Sequence, residues 1–141
     1  MKSNKLAIAI LIVTGLTAAS CAGPKEVRLV SNSDIPAAES TVKVGTNENG
    51  NTTFDLTVKH LALPQRVDPQ ATVYVVWLRG NDSAIRSQNM GALKVDDNLN
   101  GSYSGVTPLR EFELFVTAEA SATGTSPSGP ALLHTNVSAT K

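Results

Sequence analysis

The chain has 141 residues, with twelve Lys/Arg against twelve Asp/Glu, a single cysteine and few aromatics: three Phe, two Tyr and one Trp. That length suits one domain plus a short extra segment, and it is enough to bury a core without cross-links. Balanced charge, scattered singly along the chain, excludes the basic face on which nucleic-acid binding depends, and one cysteine excludes an internal disulfide framework.

The first segment begins with Lys2 and Lys5, continues through the apolar run Leu6 to Leu16, and ends Thr17-Ala18-Ala19-Ser20-Cys21. A basic start, an apolar stretch too short to span a bilayer comfortably and a small-residue cleavage site describe an export peptide rather than a transmembrane helix. Cys21, placed directly after small residues, resembles the lipobox of bacterial lipoproteins, with Ala18 where that pattern more often has Leu. The expectation is a signal peptide over residues 1–20 and a lipidated Cys21, carrying diacylglyceryl on sulfur and a further acyl chain such as palmitate on its amine. Each buried methylene contributes roughly 0.8 kcal/mol, so two or three chains hold a protein at a membrane for good. A free exported thiol would instead be open to oxidation. Ala22, rather than Asp, after the cysteine implies the outer membrane in a diderm host. Loss of Lys2 and Lys5 leaves ten basic residues against twelve acidic ones, a formal charge of minus two.

Residues 21–39 read as the lipidated cysteine and a flexible tether, polar and punctuated by Pro24 and Pro36, with Val27 and Leu29 as the only hint of an edge strand. From Ser40 the period is two. Val42 and Val44 alternate with polar neighbours, as do Phe54, Leu56 and Val58, and Asn49-Gly50 between them is a hairpin signal. Leu61 to Gln70, with Pro64 and Pro69, predicts a crossover loop. Val73 to Leu78 is apolar on both faces and β-branched, as a central strand covered on both sides should be, and Trp77 is the best single candidate for the core. Gly80 to Gln88 reads as loop, Leu93 and Val95 as a strand, Asp96 to Gly101 as a turn, and Tyr103 as the start of the next strand. Phe112, Leu114 and Val116 alternate with Glu111, Glu113, Phe115 and Thr117, and a Ser/Thr/Gly/Pro loop from Ser121 to Pro130 precedes a last strand over Leu132 to Val137. About seven strands without a helical period predict an all-β, antiparallel sandwich over residues 40–141, immunoglobulin- or fibronectin-like, with a small barrel as the alternative.

No residue set specifies an enzyme. Asp96-x-Asn98-x-Asn100-Gly101 matches the opening of a calcium loop, but the twelfth position, where a bidentate Glu belongs, is Thr107, and the same residues suit any tight turn. His60 and His134 stand far apart with no third ligand, Gly101-Ser102-Tyr103-Ser104-Gly105 has tyrosine where a nucleophile elbow needs serine, and Asp96/Asp97 and Glu111/Glu113 read as solvated surface rather than an acid–base pair. No metal or other cofactor is expected. Candidate ligand or partner residues are confined to loops: Asp96, Asn98 and Asn100 in one, Glu119, Ser126 and Ser128 in or beside another.

Four segments carry a family resemblance: Tyr74-Val75-Val76-Trp77-Leu78, Met90-Gly91-Ala92-Leu93-Lys94-Val95-Asp96, Phe112-Glu113-Leu114-Phe115-Val116-Thr117-Ala118-Glu119, and Ser126-Pro127-Ser128-Gly129-Pro130. In that order they resemble the extracytoplasmic C-terminal domain of anti-sigma-K-type factors. The resemblance implies a β-sandwich for sensing or interaction, with no known cofactor. The sigma-binding helical domain and internal transmembrane helix of that family have no counterpart in these residues, so the fold transfers more readily than the regulation. The expected function is therefore a lipid-anchored envelope protein, facing the periplasm or on the outer membrane, whose non-catalytic sandwich binds a protein of the envelope or senses its state. The alternative is a carbohydrate- or peptidoglycan-binding module working through the loops at one end.

Overall fold

A computed structural model describes residues 23–82 and 86–139, so Cys21 and the expected signal peptide lie outside the described residues. The strands are β1 (Lys25–Arg28), β2 (Val30–Ser31), β3 (Glu39–Thr46), β4 (Thr52–Lys59), β5 (Val73–Gly80) and β6 (Gln88–Ala92). They continue with β7 (Lys94–Val95), β8 (Gly101–Thr107), β9 (Glu111–Glu119) and β10 (Leu133–Ser138), and one helical turn, α1 (Pro64–Val67), interrupts the loop after β4.

All pairings are antiparallel, in two sheets of order β1-β3-β4-β8-β7 and β2-β10-β9-β5-β6. Without β1 and β2, these are the A-B-E-D and G-F-C-C′ orders of an immunoglobulin-like sandwich. In that lettering the BC loop (60–72), DE turn (96–100) and FG loop (120–132) share one end. The AB turn (47–51) and the EF connection (108–110) share the other, where the Thr52 hydroxyl donates to the Leu109 carbonyl at 2.7 Å.

Period-two alternation builds the core. Val42, Val44, Phe54, Leu56 and Val58 from one sheet face Tyr74, Val76, Leu78, Phe112, Leu114, Val116, Leu133 and Val137 from the other. Phe54 and Phe112, ring centroids 5.9 Å apart, meet across the gap. Val75, Trp77 and Phe115 form a second buried cluster on the opposite face of the β5–β9 pair. Trp77 is thus fully buried but outside the inter-sheet core: the period places it with Val73 and Val75, and the FG loop shields that face.

The structure has ten strands among the described residues where about seven are expected, and two of the additional ones lie in the segment expected to be a tether. β1 pairs with β3 and β2 with β10, so the chain crosses from one sheet to the other at Leu29, which is buried together with Ile35 and Ala38. Burial of these side chains offsets the entropy of ordering a segment whose composition alone suggests a spacer. The third is β6, too polar to register as a strand; it hydrogen-bonds to the edge of β5 across a register shift at Val76/Trp77. The hairpin at Asn49-Gly50 forms, but only Gly50 takes positive φ (+77°), and the Asn47 side chain closes the turn by accepting from the amides of Asn49 and Asn51.

Candidate functional site

The outer face of β5 and β9 is organised by one hydrogen-bonded chain. Trp77 Nε1 donates to Thr117 Oγ1 at 2.9 Å, and Thr117 Oγ1 donates to Glu119 Oε1 at 2.5 Å. The Glu119 carboxylate also accepts from the backbone amide of Ser128, at 3.0 and 3.2 Å to its two oxygens, and from the Ser128 hydroxyl. Burial by itself raises the Glu119 pKa, but the bonds from Ser128, Thr117 and Gly129 outweigh it and hold the carboxyl below its ordinary value. The FG loop is thereby tied down over the indole. Asn89 on β6 ties the loop's other limb, donating to the carbonyls of Ala122 and Gly124 at 2.9 and 2.7 Å. The Trp77 and Phe115 rings stack at 6.4 Å, and the Arg79 guanidinium sits 4.8 Å above Phe115 while pairing with Glu113 at 3.1 Å.

In the DE turn, Asp96 Oδ1 accepts from the amides of Asn98 and Asn100 at 3.0 and 2.8 Å. These bonds, that from the Asn100 amide foremost, hold the Asp96 carboxyl below its usual range. Leu99 takes the positive φ of the turn, +60°. Gly101 instead answers a close approach: a Cβ there would lie 2.6 Å from Leu93 Cδ2. Asn98 is exposed and Asn100 half-buried, and among the described residues no group of three or more His, Cys, Asp or Glu could hold a metal.

The six candidate loop residues therefore lie at the same end of the sandwich but form two separate sets. Asp96, Asn98 and Asn100 shape the DE turn; Glu119 and Ser128 fasten the FG loop, and Ser126 is exposed in it. Neither set leaves a bare constellation of polar groups. Every aromatic side chain is buried or half-buried, which removes the exposed ring on which sugar stacking depends. Glu111 accepts from the Asn81 side chain at 3.2 Å and Glu113 pairs with Arg79, so this acidic pair is engaged in cross-strand contacts.

Between α1 and the DE turn lies a hollow of about 410 Å³ that sequence reasoning missed. Leu63, Pro64, Val73, Leu93, Val95 and Leu99 supply its apolar wall, with Tyr74 and Thr72 beside them and Asp96 and Asp97 at the rim. The Tyr74 hydroxyl donates to the Ala62 carbonyl at 2.8 Å, and burial pushes its pKa up to about 12. Leu63 and Val95 are 51% and 37% exposed. The only signal for this hollow in the sequence is the apolar stretch Leu61-Ala62-Leu63-Pro64 inside a loop. Comparison of the chain with protein-family models, curated proteins and solved structures finds no match.

Proposed function

We propose that this protein is a lipid-anchored component of a bacterial envelope whose β-sandwich serves protein interaction or sensing without catalysis. The observation that carries the reading is the junction of anchor and domain: only Ala22, Gly23 and Pro24 separate Cys21 from β1. Extended chain over that distance reaches at most about 14 Å. Lys25 pairs with Val44, close to the AB turn, so an acylated Cys21 tethers the sandwich by its AB/EF end and leaves the BC/DE/FG end farthest from the lipid. Loops at such an end are where sandwich domains commonly place recognition.

The resemblance to anti-sigma-K-type C-terminal domains supports the same reading. Three of its four segments supply most of β5, part of β6 and β9, which are neighbours in one sheet, together with β7 at the edge of the other, and the fourth lies in the FG loop that Glu119 fastens. The resembling residues thus lie mainly on one sheet and the loop over it, with β7 on the other sheet. Fractionation of cells expressing the full chain tests the anchor: wild type partitions with membranes, and Cys21→Ser protein is released. Retention of the Cys21→Ser protein in the membrane fraction would overturn the reading.

A further inference from the structure

We propose that the hollow between α1 and the DE turn docks a cationic, apolar segment of a partner protein, an aliphatic or aromatic side chain seated against Leu63, Val73 and Val95 with a flanking Lys or Arg paired to Asp96 and Asp97. This rests on the interaction reading above and names its site. Single exposed apolar residues are ordinary on a protein surface; here two of the four large ones exposed among the described residues, Leu63 and Val95, line the same concavity, while Val30 and Val106 lie elsewhere. The volume suits one or two side chains. The polar groups of the wall are already engaged, because the Tyr74 hydroxyl donates to Ala62 and the Thr72 hydroxyl donates to the Ala120 carbonyl at 2.9 Å. A sugar would find few hydrogen-bond partners there, whereas a hydrocarbon side chain loses nothing.

The charge at the rim selects the flanking residues. Among the described residues, Asp96 and Asp97 are the only charged ones lining the hollow, and both are exposed. Arg66 on α1 and Lys94 on β7 are exposed and stand outside the lining. The turn's own amides hold the Asp96 carboxylate in place, so a cation meets a preorganised anion. Asp97 makes no hydrogen bond or ion pair among the described residues, which leaves it open to a partner and makes it the clean position for a test.

The full chain in zwitterionic detergent is titrated with the synthetic peptide acetyl-Gly-Lys-Leu-Arg-Phe-Lys-amide and with a control carrying Glu at each basic position, and amide shifts are followed by NMR. Saturable shifts at Leu63, Val73 and Val95 with the basic peptide, weakened about fivefold or more by Asp97→Lys and by added salt, support the proposal. Equal binding of the acidic peptide, shifts confined elsewhere or no shift overturns it. In cells, a photo-reactive residue replacing Leu63 or Val95 should cross-link to a protein, and one replacing Lys43 on the outer face of the other sheet should not. Adducts from Lys43 alone overturn the hollow but leave the interaction reading standing, while adducts from no position sink that reading and the docking role together.

Discussion

Trp77 shows how a residue's environment is read in two steps. Its size and apolar neighbours predict burial, and it is fully buried. Which face it buries depends on what covers that face, and the cover is a loop fastened by Glu119, Thr117 and Asn89. Trp77→Ala should cost on the order of 3–5 kcal/mol in denaturant unfolding, as for other large buried aromatics. Thr117→Val, which keeps the shape and removes the hydroxyl, strands the indole N–H and takes a donor from Glu119; the expected loss is about 1–3 kcal/mol, largely restored in Thr117→Ser.

Glu119 makes stability depend on acid. Its folded pKa lies below its unfolded value, so its contribution is fully present above the unfolded Glu value of about 4.3 and is lost as pH falls through the depressed folded value. Unfolding measured across that acid range should show a shallower decline for Glu119→Gln than for wild type. A decline of the same slope in both would mean that the FG loop is held without the carboxylate. Glu119 was legible as a candidate from its place in the loop region at the end of the sandwich, but its role was not. A carboxylate that binds a ligand and one that binds the chain's own amides look the same until the partner is known.

At the scale of elements, alternation located β3, β4 and β9, because inward and outward positions differ in chemistry on a half-buried sheet, and a continuous β-branched apolar run located β5. It did not locate β1 and β2, which are short edge strands whose pairing comes from distant partners rather than from their own pattern. They close one edge of each sheet and bring Leu29, Ile35 and Ala38 into the core. A chain that begins at Ser40 should therefore lose the cooperative thermal transition of the longer one or melt well below it; matching melting curves would return residues 25–38 to the role of spacer. Gly105 on β8 makes a comparable demand, since a Cβ there would come within 2.4 Å of Phe54 Cζ, the end of a ring packed in the core. Gly105→Ala should cost about 1–3 kcal/mol through overpacking, measured in the same unfolding experiment.

For the molecule as a whole, the consequence is orientation. Strands of seven to nine residues put roughly 25 Å between the two ends of the sandwich. With Cys21 acylated and three residues of linker, a probe on Asn49 in the AB turn should lie closer to the lipid surface than one on Asp97 in the DE turn. Energy transfer from each position to a headgroup dye in reconstituted vesicles measures the difference, and equal transfer would mean that the domain lies on its side. The hollow would then face along the membrane rather than away from it.

The sequence by itself determined the fold class, the central strands and the two turns rich in Asn and Gly, because these follow from local period and from the backbone preferences of individual residues. It also carries the whole basis for an anchor at Cys21, which is a matter of motif. Only the tertiary structure decided that the expected tether belongs to both sheets, that Trp77 lies under a loop rather than between sheets, and that Leu63, Val95 and Asp97 converge on one hollow. Each of these is a meeting of residues far apart in the chain, and no local pattern records which surfaces will cover one another once the core has closed.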